Sequence, residues 1–172
     1  MAGEAEECGG TKRSSLVLIS SDPAQTFKIG QILGDGLKGG DCIALNGELG
    51  SGKTCLTQGI ASGLGVSNRY AVTSPTFTLV NEYPGNKANL IHMDAYRLNG
   101  SAELPEMGYD EYLRGSSVMV IEWAEKLKED LPADALCVKC AYISEKKRRI
   151  EICGDPERMV VWEKTLKEGG CG

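Results

Sequence analysis

The residues best suited to chemistry lie in one glycine-rich segment, residues 47–54, which reads GELGSGKT. The segment matches the complete phosphate-binding pattern G-x-x-x-x-G-K-T. In that pattern the glycines let successive backbone N–H groups point at a phosphate, the lysine neutralises phosphate oxygens, and the threonine hydroxyl is placed to bind Mg²⁺. The segment therefore predicts that the chain binds a nucleoside triphosphate. The predicted nucleotide-binding residues here are Glu48, Leu49, Gly50, Ser51, Gly52, Lys53, Thr54 and Cys55.

The residues on either side of this segment support the match. Residues 42–45 (CIAL) form a short apolar run typical of a buried strand, and Leu56, Ile60 and Leu64 recur every four residues, as on one helix face. A strand, a glycine loop and a helix N-terminus together form an anion site, because the free N–H groups and the helix dipole favour phosphate. A chance glycine-rich turn is the alternative, and both flanking patterns disfavour it.

Two carboxylates are candidates for the second anchor that Mg²⁺ needs in a triphosphate site. Glu122 follows the apolar run of residues 118–121, and Asp94 follows the run of residues 90–93. Ligands gather at the carboxyl ends of strands in open α/β sheets, so both acids are predicted to face the phosphates. The alternative for each is a strand-end acid that faces solvent.

A segment rich in hydroxyl groups, residues 73–76 (TSPT), lies between the predicted helix and the next strand. A hydroxyl such as that of Thr76 would reach Mg²⁺ or the γ-phosphate from this position, although Ser-Pro is also common in ordinary turns. Trp123, directly after Glu122, is either a core residue or a partner contact, and sequence alone favours the core.

The remaining patterns predict the elements that position these residues. Asp22-Pro23 predicts the start of a first helix and Asp155-Pro156 the start of a last one, because a capping residue followed by proline suits the first helical turn. Gly39 to Asp41 predicts the end of the first helix. Further strands are predicted at residues 77–83 and, as a β-hairpin, at residues 136–143 and 149–153.

Together these elements predict an α/β fold, a three-layer sandwich of the P-loop NTPase type with a mixed, mainly parallel sheet and a C-terminal β-hairpin. Residues 1–14 are small and polar and are predicted to be disordered. The nucleotide-binding domain is predicted over residues 15–154, followed by a C-terminal helix and tail over residues 155–172.

The composition narrows the function classes. The 172-residue chain has a net charge of −5 and a pI of about 5.0, which argues against an autonomous, electrostatically driven nucleic-acid binder. Its basic cluster, residues 146–149 (KKRR), is interpreted as a solvated hairpin tip. No apolar run is long enough to cross a bilayer. The seven cysteines form no disulfide framework, which predicts a reducing cytoplasmic location, with an organellar matrix or stroma as the alternative if a transit peptide was removed.

Several segments in fixed order carry a resemblance to a known family. They are residues 47–54 (GELGSGKT), 56–59 (LTQG), 74–80 (SPTFTLV) with Tyr83, 92–98 (HMDAYRL) and 121–125 (IEWAE). In order and spacing they resemble the TsaE (formerly YjeE) family of small P-loop ATPases of tRNA threonylcarbamoyladenosine synthesis. Other P-loop proteins share each motif alone, so the specific part is HxDxYRL followed by IEWxE.

This resemblance implies an activity. Members of the family bind ATP with Mg²⁺ and hydrolyse it slowly alone. Hydrolysis becomes effective in a complex with TsaD, which transfers the threonylcarbamoyl group to adenosine of tRNA, and with its partner TsaB. By this resemblance the chain is an ATPase that activates or resets the TsaD–TsaB transferase complex. It would meet tRNA only indirectly and would have no membrane partner.

The resemblance also implies roles for the phosphate-binding residues. Lys53 would contact phosphate, and Asp94 would lie beside the metal or the lytic water. Thr54 and Glu122, together with Asp94, would hold Mg²⁺. The implied catalytic residues are Lys53, Asp94 and Glu122.

The resemblance also implies roles for one segment and two single positions. Residues 74–76 correspond to a switch segment. Thr26, in the first helix, corresponds to a position near the adenine, and the loop around Lys147 would cover the base from the other side. Cys55 departs from the family pattern, in which a threonine is more usual.

Two other functions stay open on the sequence. A nucleotide or small-molecule kinase would also carry the phosphate loop, but it usually brings several arginines in a lid, and arginines here are few and scattered. A nucleotide-dependent binding module with negligible hydrolysis is the other alternative. Sequence cannot separate that module from a partner-activated ATPase, because another subunit can complete the catalytic geometry.

Overall fold

The structure is a computed structural model that describes residues 2–3 and 12–171. Within these residues, eight strands form one sheet in the order β1-β2-β8-β7-β3-β6-β5-β4. The strands are β1 (Ala2–Gly3), β2 (Ser14–Ser20), β3 (Cys42–Asn46), β4 (Val80–Tyr83), β5 (Leu90–Asp94), β6 (Val118–Glu122), β7 (Leu136–Tyr142) and β8 (Arg148–Gly154). The helices are α1 (Pro23–Asp35), α2 (Lys53–Gly63), α3 (Tyr109–Arg114) and α4 (Pro156–Glu168), with short 3-10 turns at Ser101–Glu103, Pro105–Met107 and Ala124–Leu127.

Parallel pairing is found at the centre of the sheet. The neighbouring strands β7, β3, β6 and β5 run parallel, whereas β4, β8, β2 and β1 pair antiparallel with their neighbours. The mixed sheet and the hairpin of β7 with β8 confirm the predicted fold class. The carboxyl ends of the four central strands meet at one edge, which is where α/β proteins place their ligands.

Each face of the sheet has its own apolar cluster. Helices α1, α2 and α4 cover one face, and α3 with the 3-10 turns covers the other. Buried side chains of the first face include Ile29, Leu33, Leu56, Ile60, Met159, Trp162 and Leu166. These layers give the predicted sandwich. No helix among the described residues is long and apolar enough to span a membrane.

Two aspartates start the long helices on the first face. Asp22 accepts a hydrogen bond from the backbone N–H of Gln25 at 2.8 Å, and Asp155 accepts from Glu157 and Arg158. Side-chain caps of this kind satisfy backbone donors that the helix leaves free. Helix α1 ends at Asp35 with Gly36 as its cap, earlier than the predicted end at residues 39–41.

Helices α1 and α2 approach each other closely because glycines face each other between them. A Cβ atom on Gly30 would lie 2.2 Å from the carbonyl oxygen of Leu56, and one on Gly59 would lie 2.1 Å from that of Phe27. Any larger side chain at these positions would push the helices apart. This contact fixes α2, and therefore the glycine-rich loop before it, against α1.

The strand predicted at residues 77–83 begins later than expected. Leu79 has a left-handed backbone (φ 65°), and its N–H donates to the carbonyl oxygen of Pro75 at 2.7 Å. This turn breaks the extended conformation, so β4 starts at Val80 and leaves Phe77 85% exposed. The alternating pattern of residues 77–79 is therefore not that of a strand.

The predicted disorder of residues 1–14 falls largely on residues 1 and 4–11, which lie outside the described residues. At the described positions, Ala2–Gly3 pair with β2 and Arg13 is 7% exposed. The Arg13 guanidinium donates to the carbonyl oxygens of Ala133 and Cys153, each at 3.2 Å, and to that of Ala135. These bonds tie the start of β2 to β8 and to the segment before β7.

Candidate functional site

The glycine loop, residues 47–52, connects β3 to α2. Gly47, Gly50 and Gly52 have φ values of 142°, 74° and 100°, which side-chain-bearing residues rarely adopt. A Cβ atom on Gly47 would also lie 2.2 Å from the carbonyl oxygen of Cys140. No side chain caps the start of α2, so the first N–H groups of the helix remain available to a ligand. A tight loop ending in an uncapped helix N-terminus is suited to an anion.

Lys53 is the cation of this loop. It is 5% exposed, and its ammonium group donates to the carbonyl oxygens of Gly47 at 2.6 Å and Glu48 at 2.9 Å. The same group lies 4.1 Å from the centroid of the Trp123 ring. Burial lowers the pKa of Lys53, and the negative charge of Glu122 opposes that shift. Neutral partners thus hold the cation inside the loop.

Glu122 is the acid nearest to the start of α2. Its Oε1 lies 3.2 Å from Thr54 Oγ1 and 2.9 Å from His92 Nε2. Glu122 and Asp94 occupy paired positions at the ends of the parallel strands β6 and β5. Glu122 is 2% and Asp94 3% exposed, so both predicted acids lie at the carboxyl edge of the sheet and neither faces open solvent.

Asp94 binds the segment that precedes β4. Its Oδ2 accepts hydrogen bonds from Ser74 Oγ at 2.9 Å and Thr76 Oγ1 at 3.2 Å, and its Oδ1 accepts from the backbone N–H of Tyr96 at 2.8 Å. Thr76, whose hydroxyl was predicted to reach a ligand, and Ser74 are therefore both held by a carboxylate of the site. A movement of the Asp94 carboxylate would therefore also move Ser74 and Thr76.

These groups surround one cavity of about 430 Å³. This size lies within the usual range for small-molecule sites, about 300–1,000 Å³. The lining residues are Leu49, Gly50, Gly52, Lys53, Thr54, Cys55, Ser74, Thr76, Asp94, Tyr96, Glu122 and Trp123. Most of the nucleotide-binding and metal-binding residues predicted from the sequence are thus brought together.

Four predicted residues do not line the cavity. Glu48 is exposed in the loop, and the buried Ser51 Oγ has no hydrogen-bond partner among the described atoms. Thr26 is 3% exposed, and its hydroxyl lies 2.7 Å from that of Ser20. Lys147 is exposed at the hairpin between β7 and β8. The structure therefore gives Thr26 and Lys147 no direct place at the cavity.

Arg148 was not identified from the sequence. This residue contacts the glycine loop, whereas Lys147 does not. Arg148 Nη2 donates to the carbonyl oxygen of Gly50 at 3.1 Å, and its guanidinium lies 5.0 Å from the ring centroid of Tyr142. Its buried Nε has no acceptor among the described atoms. Arg148 is two residues before the buried Ile150 and so shares its face of β8, but the strand predicted from sequence began only at residue 149.

The contact between His92 and Glu122 was also missed. His92 lies two residues before Asp94 in β5, on the face of the sheet that α2 covers. The two-residue period of a strand places both side chains on one face. The contact with Glu122 also requires the pairing of β5 with β6, which the spacing HxD does not give.

The donor set fits a magnesium ion. Mg²⁺ prefers hard oxygen ligands and usually binds through one or two carboxylates, phosphates and water. The hydroxyl of Thr54 and the carboxylates of Glu122 and Asp94 supply oxygens of this kind around the cavity. These three residues could therefore hold such an ion.

The fold and this site define an α/β protein with a glycine loop between a parallel strand and a helix, and with two acids at the neighbouring strand ends. Comparison with known proteins agrees with that class. The family described as threonylcarbamoyl adenosine biosynthesis protein TsaE matches residues 20–150. The chain belongs to the TsaE family, which confirms the resemblance seen in the sequence.

Individual relatives cover most of the chain. TsaE of Bacillus subtilis is 38% identical over 129 residues, which are 75% of this chain and 79% of that protein. TsaE of Aquifex aeolicus is 38% identical over 136 residues, 79% of this chain and 93% of that protein. The crystal structure of Bacillus subtilis YdiB superposes with a TM-score of 0.74 at 31% identity, covering 91% of this chain and 96% of that one.

Proposed function

We propose that this chain binds Mg-ATP in the cavity beside the glycine loop and hydrolyses it slowly by itself, in support of tRNA threonylcarbamoyladenosine synthesis. One observation carries the proposal: Lys53, Thr54 and two strand-end carboxylates converge on a single cavity. Membership of the TsaE family supports the pathway. The nucleotide and the reaction rest on the chemistry of the site.

Different residues would bind the phosphates and the metal. Lys53 would exchange the carbonyl oxygens of Gly47 and Glu48 for phosphate oxygens, because a buried ammonium group gains more from an anion than from neutral acceptors. Thr54, Glu122 and Asp94 would hold the metal. When bound there, Mg²⁺ would supply positive charge that offsets the negative charge of the phosphates. The carboxylate of Glu122 or Asp94 would then orient the attacking water.

Slow hydrolysis by the isolated chain follows from the charges around the cavity. Lys53 is the single cationic side chain among the described residues that line it. Fast phosphoryl transfer usually needs a further positive group, such as an arginine supplied by a partner. We therefore propose that TsaD-like and TsaB-like subunits of the threonylcarbamoyl transferase complex stimulate turnover, and that tRNA meets this chain only indirectly.

The experiment is Mg-ATP hydrolysis by the purified chain, alone and with the TsaD-like and TsaB-like proteins. Lys53→Ala serves as the blank. Lys38→Ala removes the same charge from an exposed position before β3, at the opposite edge of the sheet, and serves as the matched control. Strong stimulation of the wild type and of Lys38→Ala, but not of Lys53→Ala, is expected.

Other outcomes would select another function. ATP binding without turnover, alone or with the partners, would favour the nucleotide-dependent binding module. Transfer of phosphate to an added small molecule would favour a kinase. Unchanged ATP affinity in Lys53→Ala would contradict the site itself.

A further inference from the structure

His92 is the single histidine of the chain. It lies in the middle of β5, and its side chain is fully buried. Its Nε2 is 2.9 Å from Glu122 Oε1, whereas its Nδ1 has no hydrogen-bond partner among the described atoms. One nitrogen therefore faces a carboxylate, and the other is buried without a hydrogen-bond partner among the described atoms.

This environment selects the position of the imidazole proton. A proton on Nε2 is donated to the carboxylate oxygen. A proton on Nδ1 would instead be a buried donor without an acceptor, and it would leave the Nε2 lone pair facing Glu122. An unsatisfied buried donor is costly, so the structure holds His92 with its proton on Nε2.

Glu122 Oε1 then accepts from two sides. His92 Nε2 donates from β5, and Thr54 Oγ1 donates from the first turn of α2. A hydroxyl carries one proton and two lone pairs. Because the proton of Thr54 is directed at Glu122, both lone pairs of its oxygen stay available for a cation.

We propose that His92 is a positioning residue of the magnesium site: it holds the Glu122 carboxylate and, through it, sets the orientation of the Thr54 hydroxyl. This inference rests on the proposed Mg-ATP function. A histidine that merely filled the core would not need a carboxylate partner, and the neighbouring positions Ile91 and Met93 are filled by apolar side chains in the second cluster. His92 is placed instead on the face that carries Asp94 and Glu122 and is covered by α2.

Two variants of equal length test the proposal in the full chain. His92→Gln retains an N–H donor near the position of Nε2, and His92→Met replaces it with an apolar group. Loss of a hydrogen bond behind a metal ligand typically weakens metal binding about 10–100-fold. For His92→Met we expect that factor in the Mg²⁺ concentration that half-saturates ATP binding, measured by calorimetry at fixed ATP. For His92→Gln we expect most of the wild-type value.

Thermal unfolding of both variants separates positioning from folding. Similar melting temperatures with different magnesium requirements support the proposal. Equal magnesium requirements in wild type, Gln and Met variants overturn it, as does a Gln variant that is no better than Met when both are folded.

A second measurement needs neither nucleotide nor a variant. Long-range ¹H–¹⁵N NMR of the wild type reports which ring nitrogen carries the proton, and a single histidine requires no assignment. A proton on Nε2 alone is expected, and a proton on Nδ1 overturns the proposal. If the wild type neither binds nor hydrolyses Mg-ATP, the proposed function fails and the metal role of His92 fails with it. If the wild type is active and His92→Met has the same magnesium requirement as the wild type, the proposed function stands and only the positioning role of His92 fails.

Discussion

The ammonium group of Lys53 lies 4.1 Å from the centroid of the Trp123 ring. Trp123 has a left-handed backbone (φ 59°), and its ring centroid lies 5.0 Å from that of Tyr96. A non-glycine residue in this conformation carries a cost that surrounding contacts have to offset. The arrangement puts an indole ring directly beside the cation expected to move when phosphate binds.

We predict that Trp123 fluorescence reports nucleotide binding. The chain has two tryptophans, and the other, Trp162, packs in α4 beside Gly36. In Trp162→Phe, addition of Mg-ATP should change the emission, because the charge over the indole ring moves away. In Trp123→Phe the emission should stay constant. A response from Trp162 alone would contradict the expected movement of Lys53.

Replacement of Glu122 by Gln should separate binding from hydrolysis. The amide keeps an oxygen that can accept from His92 and Thr54 but loses the negative charge beside the metal. Loss of a charged group that assists the attacking water typically costs about 10² or more in rate. We therefore expect kcat of the partner-stimulated reaction to fall by about that factor, with a smaller change in ATP affinity. Equal ATPase activity in variant and wild type would reject the assigned role of Glu122.

Arg148→Ala should weaken nucleotide binding more than Lys147→Ala, although both remove one positive charge from adjacent positions. Arg148 holds the carbonyl oxygen of Gly50, whereas Lys147 is exposed. A hydrogen bond of this kind contributes about 0.5–1.5 kcal/mol, so Kd should rise about 2- to 10-fold in Arg148→Ala. Calorimetric titration with Mg-ATP measures both. A larger effect of Lys147→Ala would restore the role that the family resemblance implied for it.

Stability should decline at alkaline pH because of two buried thiols. Burial raises the pKa of Cys42 and of Cys140 from 9.0 to about 12. Between these values the unfolded chain loses thiol protons that the folded chain keeps, so the free energy of unfolding falls as pH rises. Well below pH 9.0 the folded and unfolded chains both keep these thiol protons, so the two groups contribute no slope there.

Urea unfolding of wild type and Cys42→Ala between about pH 8 and 11 tests this linkage. The variant should show a shallower decline in the free energy of unfolding. The difference in the free energy of unfolding between the two proteins near neutral pH measures the separate cost of the smaller side chain. Parallel declines in the two proteins would show that Cys42 does not contribute.

Local chemistry predicted the parts of the site that lie at element ends. The glycine spacing, the acids after two apolar runs and the Asp-Pro helix starts each act within a few residues, so Glu122, Asp94 and both long helices were found from sequence. The register of β5 against β6 then places the two acids side by side. The sequence alone does not give this pairing of the two strands.

Most of the missed features depend on residues distant in the chain, and one depends on an uncommon local backbone conformation. Strand β2 exists because it pairs with β8, and Arg13 is buried because carbonyl groups of Ala133, Ala135 and Cys153 receive it. The late start of β4 depends on the left-handed turn at Leu79, a conformation that leucine rarely adopts. The basic run of residues 146–149 does not by itself show which of its four side chains contacts the glycine loop. The position of Arg148 follows only once β8 is known to start there.

The pairing of β2 with β8 also has a consequence for how the protein is made. It pairs Ser14 with Gly154 and Ser20 with Arg148, so β2 cannot form this pairing until β8, much later in the chain, is present. Contacts between such distant residues slow folding, because a long loop has to close before they form. On the ribosome, β2 stays without this partner until β8 emerges. We therefore expect β2 to need protection from aggregation during synthesis, since unpaired strand edges are prone to it.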